Sequence, residues 1–199
     1  MPRLTEILVG DNAELWRAAG FNVNDNVCQV GHVGIRFVDD SGPGVRGWAF
    51  DSAVHRDDID GLASTCAPEA SQTATHPNGV EKIDHVVVVT PDLPRTIAEL
   101  EQAGFELRRT RDTDTYGTPM RQAFFKAGDV ILEIVGGQQP DRAGGSSRFF
   151  GLAFTVESMD TAAELLGAWL GKAKPAVQQG RSIATLRAGQ TVPIVLMTR

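Results

Sequence analysis

The sequence predicts an α+β fold assembled from repeated β-α-β-β-β modules. Three observations predict it. Residues 82–135 read in order as strand, helix, strand, strand, strand, and the same order recurs before and after them. Short strings also repeat at matching places. Ala19-Gly20-Phe21 and Ala103-Gly104-Phe105 follow the helices, and Lys126-Ala127-Gly128 and Arg187-Ala188-Gly189 precede the last strands.

The central module is the clearest. IDHVVVVT (83–90) is a run rich in β-branched residues, the mark of a buried strand. In PDLPRTIAELEQAG (91–104), Asp92 is placed to cap, Pro94 suits a first turn, and Leu93, Ile97 and Leu100 recur at helical spacing. Gly104 stops that helix. FELRRT, MRQAFFKAG and DVILEIVGG follow as strands, with Ala127-Gly128 as the tight turn between the last two.

The N-terminal copy offers LTEILVG, DNAELWRAAG, FNVNDNVCQV, HVGIRFV and VRGWAF, its helix opening on the capping-box-like Asp11-x-x-Glu14. The C-terminal copy offers FFGLAFTV, SMDTAAELLGAWLG, a strand near 176–178, SIATLRAG and TVPIVLMTR. Residues 57–79 are aperiodic and rich in Ala, Ser, Thr, Pro and Asp, and read as a linker; 136–147 is a second joint. The expected organisation is a divergent N-terminal module at 1–56, a linker at 57–79, a central module at 80–139 and a C-terminal module at 140–199. One such module cannot bury both its helix and its sheet alone, so copies must pair.

Composition narrows the function. Hydrophobic residues make up 42% and charged residues 22%, ordinary for a globular chain, and the net charge is −6 with no long basic run. That argues against nucleic-acid and anionic-membrane partners, both of which need clustered Lys and Arg. The N-terminus has no apolar segment of signal-peptide length, and the longest apolar run, 86–89, is strand-sized. Cys28 and Cys66 belong to no C-x-x-C, so a cytoplasmic protein with unpaired thiols is expected. The chain holds no Gly-rich phosphate loop, no G-x-S-x-G elbow and no Cys/His pair at catalytic spacing.

IDHVVVVTPDL, FFKAGDVILEIV and FFGLAFTVESMD resemble the vicinal oxygen chelate (glyoxalase/bleomycin-resistance/dioxygenase) superfamily. The resemblance covers residues 83–197; the N-terminal third shares mainly the order of elements. It implies a cup-shaped sheet of paired modules with flanking helices. It also implies a divalent metal in many members, bound by a His or Gln on each module's first strand and a Glu on its last. His85 falls on the first-strand position and Glu133 on the last-strand position. Strand alternation puts His85 on the face of Ile83 and Val87. Pairing Phe125 with Val130 sets Gln122 opposite Glu133, so Gln122, Phe124, Ile131 and Glu133 share the cup face. The C-terminal copy has Gly151 and Ile194 at the corresponding positions, and neither ligates. Two protein ligands are few for Zn or Ni, which take three or four. Glu6 of the N-terminal copy completes the set if those modules pair; a homodimer joining two central modules is the alternative.

The resulting expectation is a protein that binds a small organic molecule in its cup. Glu133 is the candidate proton acceptor; Gln122, Phe124 and Trp48 contact the ligand; His85, Glu133 and Glu6 are the candidate metal ligands. A lyase, isomerase or dioxygenase using Zn, Ni, Mn or Fe stands beside a metal-free sequestration protein of the bleomycin-resistance type, and a homodimer is expected for either. Arg121 should face away from Glu133, and Arg108 and Arg109 should be solvated unless one of them binds an anionic ligand. His32, His55 and His76 lack ligand spacing, with His55 and His76 in loops. Trp16 and Trp169 should be core.

Overall fold

The computed structural model describes residues 1–38, 42–51, 56–69, 73–114, 117–141 and 144–199. Among the described residues the chain forms two mixed sheets. The N-terminal sheet comes from β1 (Leu4–Gly10), α1 (Ala13–Ala18), β2 (Val23–Asn24), β3 (Val27–Val30), β4 (Val33–Phe37), β5 (Gly44–Phe50), β6 (Asp58–Ile59) and β7 (Leu62–Cys66). Its strand order is β2-β3-β4-β1-β5-β7-β6. The second sheet comes from β8 (Val80–Thr90), α2 (Leu93–Gln102), β9 (Leu107–Thr113), β10 (Met120–Ala127), β11 (Val130–Gly137), β12 (Arg148–Val156), α3 (Met159–Leu166), β13 (Lys174–Pro175), β14 (Ser182–Leu186) and β15 (Ile194–Met197). Its order is β13-β14-β15-β12-β8-β11-β10-β9.

The α+β class and the repeated module are both present. Each copy closes by laying its last strand parallel to its first: β4 on β1, β11 on β8 and β15 on β12. The central and C-terminal copies join through antiparallel β8 and β12. The edge of β8 away from β11 is thus filled by the C-terminal copy of the same chain. No helix among the described residues is long and apolar enough to cross a membrane.

Three expectations about elements need correction. VRGWAF is not the last strand of the N-terminal copy. As β5 it runs antiparallel to β1, where β12 stands beside β8, and it takes β7 in parallel on its far edge. Residues 57–79, expected as linker, carry β6 and β7; Ile59 and Leu62 are fully buried there despite the polar composition around them. The strand expected near 176–178 lies at Lys174–Pro175.

The helices start where short polar side chains can hold free backbone N–H groups. Asp92 accepts from the amide of Arg95 at 3.1 Å, and Ser158 from that of Thr161 at 3.2 Å. Asn12 caps α1, accepting from the Glu14 amide at 2.8 Å. Asp11 does not cap. It accepts from Trp16 Nε1 at 3.0 Å and from the Thr191 amide at 3.1 Å, tying α1 to the C-terminal copy.

One apolar core lies between the sheets. Trp16 is fully buried and packs on Phe21, Phe37 and Phe154; Trp48 meets Phe149, and Phe50 meets Phe105. Trp169, expected in the core, is 43% exposed, because it falls in the 3-10 turn beyond α3 rather than on its buried side. The Asp60 carboxylate joins the halves, accepting from Arg95 Nε at 2.7 Å, Thr96 Oγ1 at 2.5 Å and Ser147 Oγ at 2.6 Å. Burial pushes its acidity down, but these donors outweigh burial and hold its pKa below the ordinary carboxylate value. Cys28 and Cys66 are both free thiols, and burial pushes Cys28 up to about 12.

His76 sits in a loop as expected, yet it is buried and holds the N-terminal hairpin. The Asn22 amide donates to its Nδ1 at 3.0 Å, and its Nε2 lies 3.0 Å from the Gln29 carbonyl. Nδ1 therefore accepts and Nε2 carries the proton, which requires a neutral ring. Burial lowers the His76 pKa, against a smaller opposing effect of the Gln29 carbonyl. A lowered histidine pKa means that acid protonates the unfolded chain first. The His76 contribution is thus complete above the unfolded value of 6.5 and shrinks as pH falls below it. In urea titrations the stability lost in His76→Gln should be largest at neutral pH and diminish toward pH ~5. A penalty that stays constant across that range would contradict this placement.

Candidate active site

Strand parity sets the site. Residues paired across neighbouring strands share a face, so the registers lay three rows across the cup side of the second sheet. The middle row runs Arg109, Phe124, Glu133, Val87, Gly151. On one side lie Arg111, Gln122, Val135 and Val89, and on the other Lys126, Ile131, His85, Ala153 and Val195.

Gln122, Phe124, Ile131 and Glu133 therefore do share a face, although the register differs from the expected one by two residues. The turn is made at Gly128-Asp129, so Ala127 pairs Val130, Gln122 pairs Val135 and Phe124 pairs Glu133. A slip of two preserves which face each side chain occupies, whereas a slip of one would have reversed it.

His85 reaches the cup by a different route from the expected alternation. Ala153 pairs His85, but Phe154 pairs Ile83, leaving Asp84 as an extra bulged residue. The bulge separates His85 from Ile83, which is buried in the core at 1% exposure. It also swings the Asp84 carboxylate to 2.8 Å from His85 Nδ1, while Arg181 Nη2 binds the other oxygen at 2.6 Å. Burial would raise the Asp84 pKa; the His85 and Arg181 contacts outweigh it and hold Asp84 at about 2.

His85 Nε2 then faces Glu133 Oε2 at 3.6 Å, too long for a hydrogen bond. Glu133, 8% exposed, accepts from Gln122 Nε2 at 2.5 Å, and Gln122 Oε1 accepts from Arg111 Nε at 2.8 Å and Nη2 at 2.6 Å. Two bonded groups, Arg111–Gln122–Glu133 and His85–Asp84–Arg181, thus face each other across that 3.6 Å gap. Arg121 faces away, paired with Asp112 at 2.6 Å. Sequence reasoning missed Asp84, Arg111 and Arg181. Alternation from Arg109 gives Arg111 once β9 is extended past Thr110, whereas nothing in the pattern marks the Asp84 bulge or places the loop residue Arg181.

Glu6 and Trp48 are not brought to this cluster. Trp48 is fully buried between the sheets and donates from Nε1 to Ser64 Oγ at 2.7 Å. Glu6 lies in the N-terminal sheet. There it pairs Gly34 as His85 pairs Ile131, and Arg36 stands where Glu133 does. Arg36 Nη2 closes on Glu6 at 2.6 Å, so in that sheet an internal ion pair occupies the positions of His85 and Glu133. His55 lies outside the described residues.

The two donors meet part of what a divalent ion requires. Ligands about 2.1 Å from a tetrahedral ion stand about 3.4 Å apart, close to the His85–Glu133 separation, and Asp84 on Nδ1 orients the imidazole as outer carboxylates do in metal sites. The rest of the set does not fit. Gly151 corresponds to His85, and a Cβ there would lie 2.5 Å from the Pro193 carbonyl. Glu133 pairs Val87; the matching residue Ala153 pairs Val195, so Val195 is its counterpart and not Ile194, which faces the core. The longer loop at 187–193, in place of the short Gly128-Asp129 turn, accounts for that one-residue slip. Among the described residues no three His, Cys, Asp or Glu are grouped to hold a metal ion.

A cup of paired βαβββ modules with a His and a Glu on the first and last strands of one module defines the class. Residues 82–169 match the Glyoxalase/Bleomycin resistance protein/Dioxygenase superfamily. Among solved structures, a 4-hydroxymandelate synthase variant from Streptomyces coelicolor is similar over 99% of this chain and 92% of its own, at 11% identity and a TM-score of 0.67. An extradiol ring-cleaving dioxygenase from B. fuscum covers 99% of this chain and 71% of its own, at 17% identity and a TM-score of 0.62. Methylmalonyl-CoA epimerase from Mycobacterium tuberculosis covers 64% and 93%, at 19% identity and a TM-score of 0.50. At these identities the likeness is one of fold. No curated protein matches the chain.

Restoring a ligand by Gly151→His should not rebuild the second half-site. The new Cβ forces the Pro193 backbone aside, and such overpacking costs about 1–3 kcal/mol. Urea denaturation should show that loss with no gain in bound metal; an unaltered midpoint would show that the 187–193 loop yields freely.

Proposed function

We propose that the chain binds a small organic molecule on the cup face of the second sheet, with Glu133 as the principal polar contact and His85, Gln122 and Phe124 around it. One observation carries this reading. The Glu133 carboxylate is almost fully buried, and among the described residues it has only Gln122 and an imidazole beside it, with no Lys or Arg. A carboxylate in an apolar strand is costly unless a partner meets it, and a ligand donor supplies one. If the chain is an enzyme, Glu133 is the group able to take a proton from an acidic C–H or O–H held against it, with Gln122 fixing the carboxylate plane. Free Cys28 and Cys66 support a reducing, cytoplasmic setting.

A second reading, a metal-dependent lyase, isomerase or dioxygenase, is favoured by the Asp84–His85 contact and the 3.6 Å donor separation. It needs further ligands from water and substrate, since the positions of Gly151 and Val195 supply none.

Elemental analysis of untagged protein, purified without chelators and then offered Zn, Ni, Mn or Fe(II), separates the two. The binding reading expects no stoichiometric ion and the same result for His85→Ala and Glu133→Ala. About one ion per chain, lost in either variant, would replace it with the metal-dependent reading.

A further inference from the structure

Resting on that reading of the cup, we infer that its ligand is a small organic carboxylate, seated with its acid group on Arg109 and Arg111. The two arginines are alternate residues of β9 and so project to one face, the cup face, where they pair with Phe124 and Gln122. Their guanidinium carbons lie 4.6 Å and 5.5 Å from the centre of the Phe124 ring, which fixes both groups over one support.

Their partners set them apart from other arginines of the sheet. Arg121 is neutralised by Asp112, Arg108 by Glu106 and Arg181 by Asp84. Among the described residues neither Arg109 nor Arg111 has a carboxylate within ion-pair distance. Arg111 spends two donors on the neutral oxygen of Gln122, and among the described residues Arg109 has the ring contact alone. Both cations stand beside one ring, and the N–H groups not spent on Gln122 match the acceptor oxygens of a carboxylate. An unpaired cationic pair held over a ring at the rim of an apolar face is a receptor for an anion.

The same rows fix the direction and length of the ligand. Glu133 repels an acid group, so the acid end must lie toward β9 and the other end toward Glu133 and His85. Arg109 and Glu133 are two strands apart in one row, a span of roughly 10 Å between backbones. Once the side chains are subtracted, that leaves room for a short carbon body between the acid group and the atom that meets Glu133.

The test compares acids with their own amides on the full chain. 3-Phenylpropionate with 3-phenylpropionamide, and butyrate with butyramide, are titrated by amide NMR and calorimetry. In each pair the acid should bind about tenfold or more tightly than the amide, and that advantage should shrink at ~0.5 M salt because the pair is near the surface. Arg109→Gln/Arg111→Gln should bring the acid to within about twofold of the amide measured on the same variant. Arg109→Gln alone keeps the Arg111–Gln122 bonds, and it should remove part of the advantage even if the double variant misfolds. Equal binding of acid and amide in the Val87, Gly151 and Ala153 resonances overturns the carboxylate assignment and leaves the cup reading standing. So does an acid advantage that survives both arginine changes. Failure of every probe to move those resonances overturns both.

Discussion

The second sheet is registered on β8. One edge of this strand holds β11 in parallel and the other holds β12 antiparallel, so both modules take their position from the same backbone. Its two faces have different duties. Val80, Ile83, Val86 and Val88 enter the core shared with the N-terminal sheet, while His85, Val87 and Val89 line the cup. A strand strictly alternating from Ile83 would send His85 into the core. The extra residue at Asp84 lets one strand satisfy both demands, and it leaves Asp84 beside the imidazole it orients.

Much of this architecture was legible in the chain. The central module was readable element by element because its strands are β-branched, its helix has a cap and a terminal glycine, and its hairpin turn is short. Legibility failed where composition and structure part. LASTC and the residues before it are small and polar, yet β7 is needed to flank β5, and Leu62 and Ile59 supply enough apolar surface to fix it. VRGWAF was assigned to the wrong place in the repeat because strand order alone does not say whether the next strand runs parallel or antiparallel. That choice is made by long-range pairing.

At the candidate site, the shared face of Gln122, Phe124 and Glu133 follows from parity within one module, whereas parity places His85 with Val87 but wrongly with Ile83. Residues that depend on a bulge or on a loop folding back were not readable. Asp84 stands next to His85 in sequence, where alternation assigns the opposite face. Arg181 lies 97 residues from the carboxylate it binds. Trp48 and Glu6 were assigned by analogy of position. Trp48 went to the core because the space between the sheets demands large aromatic rings. Glu6 was met by Arg36, two residues beyond its partner on the adjacent strand.

The Glu6–Arg36 pair has a consequence for stoichiometry. Repetition of a binding module ordinarily multiplies the number of ligands a chain can take up, and with it the scope for one bound molecule to influence another. Here the N-terminal copy satisfies its own charges, and the C-terminal copy offers Gly151 and Val195. Under the proposed binding role the duplicated architecture is univalent: several copies of one module serve as scaffold for a single receptive face, whose saturation would follow a simple hyperbola without cooperativity within the chain.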